Sequence, residues 1–173
     1  MSRLRTFALS ALAFWLLSGP GSVLAQDPRG PALKPLSAVL FELRQEGDFT
    51  KAAYLFKRCS GYSLAMSVLL IRSGGDQLNQ RATEWRKLAV NLVEYAVDLE
   101  IRIEQQRNLS RRKTKDEWEE QTLQVAKEFM NIYIDRMNSN YLRSGNYVID
   151  DPWLTSESPI CQEAPKRVMD AIR

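Results

Sequence analysis

Cys59 and Cys161 are the only thiols in this 173-residue chain, which contains no histidine. Two cysteines are too few for a four-thiolate zinc or iron–sulfur site, and these are too far apart for a C-x-x-C redox pair. In an oxidising compartment their expected use is one structural disulfide, with two free thiols as the alternative. The missing histidine removes the commonest general base, the Ser-His and Cys-His nucleophiles, and the imidazole ligands of metals and haem. There is no P-loop and no dinucleotide-binding fingerprint. The chain calls for no cofactor and no metal, and it reads as a protein that is not an enzyme.

Weaker chemical patterns remain. Ser110-Arg111-Arg112-Lys113 matches the S-x-x-K pattern of serine enzymes that use a lysine, but without that family's other motifs. Asn108-Leu109-Ser110 is a glycosylation sequon, relevant only in a eukaryotic secretory pathway. Glu94 with Asp98, and Glu100 with Glu104, share a helix face and could act as a glycosidase-type carboxylate pair. Each pair also falls in a polar stripe whose simpler reading is solvated surface.

Two features fit partner binding. Arg107, Arg111, Arg112, Lys113 and Lys115 form a basic loop that could dock on an acidic partner or on anionic head groups. Its plainer reading is a solvated connection whose cations offset the acidic first turn of the next helix. Tyr147, Trp153 and Leu154 form an aromatic tail that could anchor an interface. The plainer reading of Trp153 is a plug that holds the tail in place.

The elements that must position these groups begin after an export signal. Arg3 and Arg5 precede an uncharged apolar run from Thr6 to Gly19, Pro20 and Gly21 break it, and Val23-Leu24-Ala25 offers a cleavage site. The run is shorter than the roughly 20 residues that span a bilayer, which favours a cleaved signal over a membrane anchor. Cleavage after Ala25 removes two cations and lowers the net charge from +3 to +1. That is not the footprint of a general nucleic-acid binder. Membrane contact is expected only through the signal, and the location is periplasmic or secreted.

Residues 26–34 are rich in Pro, Gly and charge and read as a flexible leader, leaving 35–173 as a single helical domain. Leu36, Val39, Leu40 and Leu43 predict a short helix over 35–46. Asp48 to Gly74 predicts a long, largely buried helix with Cys59 near its middle, apolar on more than one side as a central helix would be. Asp76 to Gln106 predicts a third helix capped by Asp76, with Trp85, Leu88, Leu92, Tyr95, Leu99 and Ile103 as its seam and Val90, Val93, Val97 and Ile101 broadening that apolar face. Thr114 and Glu117 fit a capping box opening a fourth helix to about Arg143, with Trp118, Thr122, Val125, Phe129, Ile132 or Tyr133, Met137 and Tyr141 inward. Residues 146–162 lose helical periodicity, and Pro165 starts a last short helix with Val168, Met169 and Ile172 inward.

The expected fold is all-α: three long helices and one short N-terminal helix in an antiparallel bundle, its C-terminal tail folded back and tethered through Cys59 and Cys161. The expected function is non-enzymatic. It is a protein-interaction or structural module of the bacterial envelope, acting on an envelope protein partner and possible as an oligomer. The alternative is a small-ligand or lipid-binding bundle with a cavity lined by Phe56, Met66, Tyr95, Phe129 and Met137.

Overall fold

The computed structural model describes residues 33–107 and 112–172. The expected export signal over 1–25, most of the leader, Asn108, Leu109, Ser110 and Arg111, and Arg173 lie outside the described residues. The described chain forms six helices: α1 Leu36–Glu46, α2 Phe49–Ser73, α3 Asp76–Gln106, α4 Lys115–Ser144, α5 Pro152–Gln162 and α6 Ala164–Ala171.

Local chemistry sets the helix ends. The Asp48 carboxylate accepts from the Thr50 N–H and opens α2, while Gly47, in the left-handed conformation at φ 62°, closes α1. The α4 start is a complete capping box: Thr114 Oγ1 accepts from the Glu117 N–H, and the Glu117 carboxylate accepts from the Thr114 N–H. Asp76 is the first residue of α3 rather than its cap, a role taken by Gly75.

The largest departure from expectation is the tail. Residues 152–162 are helical, not irregular. Asp151 accepts from the N–H groups of Trp153 and Leu154, and Pro152 occupies the first turn, where a missing N–H costs nothing. Asp-Pro is a turn signal and a helix-start signal alike, and here the second meaning holds. Pro159 lies inside α5 without ending it.

α2 is the helix that every other described helix touches. Its buried residues include Ala52, Leu55, Phe56, Cys59, Tyr62, Ala65 and Leu69, so it is apolar on several sides. Two seven-residue series of small residues lie buried on α2 and α3: Ala53, Ser60 and Ser67 on one, Ala82, Ala89 and Ala96 on the other. The Ser60 hydroxyl donates to the Ala89 carbonyl at 3.0 Å, a distance that small side chains permit. α4 approaches α2 at Gly61, where an added Cβ would lie 2.7 Å from the Ala126 carbonyl oxygen and 2.9 Å from the Met130 nitrogen. Glycine is needed there for the two backbones to meet.

Three expected seam residues face solvent: Tyr95 at the side of α3, Tyr141 near the end of α4, and Met169 on α6. In α4 Thr122, Tyr133 and Met137 are buried as expected, and Ala126 and Asn140 join them on the buried line. Tyr95 and Tyr141 still pack by ring contact, on Phe56 and Tyr147 respectively. No described helix is long and apolar enough to cross a membrane.

Candidate functional site

Arg58 stands in the middle of α2, with Tyr54 and Tyr62 one turn to either side, and its side chain is completely buried. A guanidinium is almost never buried without partners. Nη2 lies 2.5 Å from Glu157 Oε1, and Glu157, on α5, is completely buried as well. Nε donates to the Tyr133 hydroxyl at 2.9 Å, and Nη1 donates to the Lys34 carbonyl. The Tyr133 hydroxyl in turn donates to Glu157 Oε2, and the Leu36 N–H donates to Oε1 at 3.0 Å. One network thus ties the start of α1 to α2, α4 and α5.

Trp153 closes this network from outside. It stacks on Tyr133 with ring centroids 5.3 Å apart and lies beside two guanidinia, Arg58 at 5.2 Å and Arg136 at 4.3 Å. Arg136 grips Asp151 with two parallel bonds of 2.8 and 3.0 Å, while Asp151 caps α5. One residue along from Arg58, Cys59 is bonded to Cys161, and both sulfurs are buried. Consecutive residues of α2 therefore hold α5 at two points, by charge and by a covalent bond.

The electrostatics follow from burial. Withdrawal from water is the largest influence on Arg58 and works against its charge, but Tyr133 and Glu157 outweigh it and hold the guanidinium above its ordinary value. For Glu157 burial prevails over Arg58, Tyr133 and the Leu36 N–H, so its carboxyl titrates above the usual range. Burial pushes Tyr133 well above the ordinary phenol range and Tyr62 up to about 12. A raised carboxyl and a buried arginine would suit an active site if substrate could reach them. Both are wholly covered, so the chemistry open to them is cohesion.

The carboxylates with catalytic spacing are also engaged or solvated. Glu100 pairs with Lys57, and Glu104, buried rather than solvated, accepts from the Lys113 N–H and from Trp118 Nε1 at 3.1 Å. Glu94 and Asp98 are exposed on α3. Among the described residues, no group of three or more His, Cys, Asp or Glu is placed to hold a metal ion.

The basic loop splits in two. Lys113 donates to Gln121 and lies 4.2 Å from the Trp118 ring centre, and Lys115 pairs with Glu119 at 3.5 Å. Both thus attach to the first turns of α4. Arg107 and Arg112 are exposed, and Arg111 is outside the described residues. Tyr147 stacks on Tyr141 with centroids 4.6 Å apart, while Trp153 packs on the Arg58 network.

The accessible features are surface clefts. An apolar one of about 490 Å³ lies over α3 and α4: Val90, Val93 and Leu123 line it together with Glu94, Asp116, Glu119 and Glu120. Val90 is 52% exposed and Leu123 40%. A second cleft of about 360 Å³ adjoins it through Val90 and carries Arg86 and Lys87. Phe56 and Met137 are buried and Phe129 packs edge-on against Tyr54, so side chains expected to line an internal cavity are spent on packing. Comparison of the chain with protein-family models, curated proteins and solved structures finds no match.

Proposed function

We propose that this chain is an exported, non-enzymatic helical bundle that acts as a protein-interaction module of the bacterial envelope. The observation that carries the proposal is the contrast between the two kinds of site. The groups with chemical capacity, Cys59, Cys161, Arg58, Glu157 and Tyr133, are buried and bonded to one another. The exposed site is an apolar groove edged by four carboxylates, a surface suited to a partner rather than to a reaction.

The bundle is antiparallel in this account. Phe56 meets Tyr95, Ser60 meets Ala89 and Tyr62 meets Trp85, so numbers rise along α2 as they fall along α3. The export part of the proposal is supported by the signal-like pattern of residues 1–25 and by the disulfide. The mature chain begins at Gln26 and resides in the periplasm or outside the cell.

The test places a photo-crosslinking residue at Leu123 in the groove and, as a control, at Thr155 on α5. Irradiation in the producing cell should give a discrete adduct from Leu123 and none from Thr155. Equal labelling, or none at either position, would overturn the interaction reading. Intact mass of the exported protein reports the cleavage separately: a chain retaining residues 1–25 would contradict export by a cleaved signal.

A further inference from the structure

We propose that the exposed face of α3 centred on Val90 pairs with the same face of a second copy of this chain. The two α3 helices run antiparallel, so that Arg86 of each copy meets Glu94 of the other. The proposal deepens the interaction reading above and rests on it.

Arg86, Val90 and Glu94 follow one another at four-residue intervals, which places them on one stripe of α3. All three are exposed. Among the described residues neither the Arg86 nor the Glu94 side chain has an ion-pair or hydrogen-bond partner. Val90 lies where the two clefts join, with Arg86 and Lys87 on one side of it and Glu94 on the other. Asp116, Glu119 and Glu120 of α4 extend the acidic side.

This pattern is symmetric in position and opposite in charge about Val90. A two-fold axis through Val90 sets each valine against its copy, Arg86 against Glu94, and Lys87 towards the partner's acidic groove. Such self-complementarity is what an isologous interface requires: residue i meets j, and j meets i. A foreign partner would need apolar and charged groups to match, but would not need this arrangement about one residue. The apolar centre of Val90, Val93 and Leu123 with ionic edges is the usual layout of a contact between subunits.

Sedimentation of the full exported chain tests the proposal over about 1 µM to 1 mM, a range that covers weak to moderate self-association. The wild type should dimerise, and Val90→Asp should be monomeric with its helical circular dichroism unchanged, since Val90 is half exposed. Arg86→Glu with Lys87→Glu, and separately Glu94→Lys with Glu120→Lys, should each weaken association on the order of 100-fold through like charges across the interface. Mixing the two charge-reversed proteins should restore a one-to-one dimer, because each reversed face then meets its complement. A wild type that stays monomeric throughout overturns the proposal, as does a dimer indifferent to these changes. If the chain is monomeric yet Leu123 crosslinks to a different protein, the second copy is the wrong occupant and the interaction reading stands.

Discussion

The Arg58 guanidinium meets the Glu157 carboxylate at 2.5 Å with both side chains withdrawn from water, although the two residues stand 99 apart in the chain. The pair sits one residue from Cys59 on α2 and four from Cys161 on α5, so ion pair and disulfide act on the same two helices. The residues best suited to chemistry form a clamp on the returning tail.

Loss of the disulfide should be costly. Cys59 and Cys161 are separated by 102 positions, and closing a loop of that size stabilises by about 4–5 kcal/mol in the chain-entropy model. Cys59→Ala with Cys161→Ala should lower the urea midpoint and the Tm markedly. An unchanged midpoint would show that the bond adds nothing to cohesion. Because both sulfurs are buried, reductant should open the bond slowly without denaturant and quickly with it.

Gly61→Ala should destabilise even though alanine is favoured over glycine within helices by about 1 kcal/mol. The new methyl would press on the Ala126 carbonyl and the Met130 nitrogen, both backbone atoms that cannot rotate aside. Forced separation of α2 and α4 should cost about 1–3 kcal/mol net in chemical unfolding. A stabilised variant would mean that the two helices are not in backbone contact.

Acid should loosen α5 through Asp151. Burial works to raise its pKa, but Arg136 and the N–H groups of Leu154 and Trp153 prevail and hold it below the ordinary 3.8. A depressed folded value gives stability that is present above the unfolded pKa and lost as pH falls through the folded one. The loss therefore falls below about pH 4, and Asp151→Asn should flatten that limb of a stability–pH curve. Glu157 works in the opposite sense. Its value is raised above 4.5, so its share of stability increases as pH falls from the folded value towards 4.5. An Asp151→Asn curve parallel to wild type below pH 4 would exclude the Arg136–Asp151 pair as the source.

Much of the scaffold was legible in the sequence. Asp48, the Thr114–Glu117 box, Gly47 and Gly145 are local signals, and they mark ends that the structure places within a residue or two. Leu36, Val39, Leu40 and Leu43 are all buried as their spacing requires, and the Cys59–Cys161 bond forms. α5 was hidden because Asp151-Pro152 carries two meanings, and only contact with Arg136 and Trp153 selects the helical one. Arg58 and Glu157 were hidden for a different reason. Periodicity assigns charged residues to the wet face, and nothing near either residue announces a partner so distant in the chain. The available clue was an arginine one helical turn from both Tyr54 and Tyr62 and next to Cys59, on a side of the helix that the cysteine and both tyrosines turn inward. The Val90 groove was missed because an exposed valine on an apolar stripe cannot be told from a buried one until α4 is in place.

A double-mutant cycle on Arg58 and Glu157 tests the clamp most directly. Arg58→Met and Glu157→Leu should each cost about 3–5 kcal/mol in urea unfolding, because each strands a buried charge, while the double variant should cost less than either alone. Single variants within about 0.5 kcal/mol of wild type, or two losses that simply add, would contradict the view that this buried pair exists to hold α5 on α2.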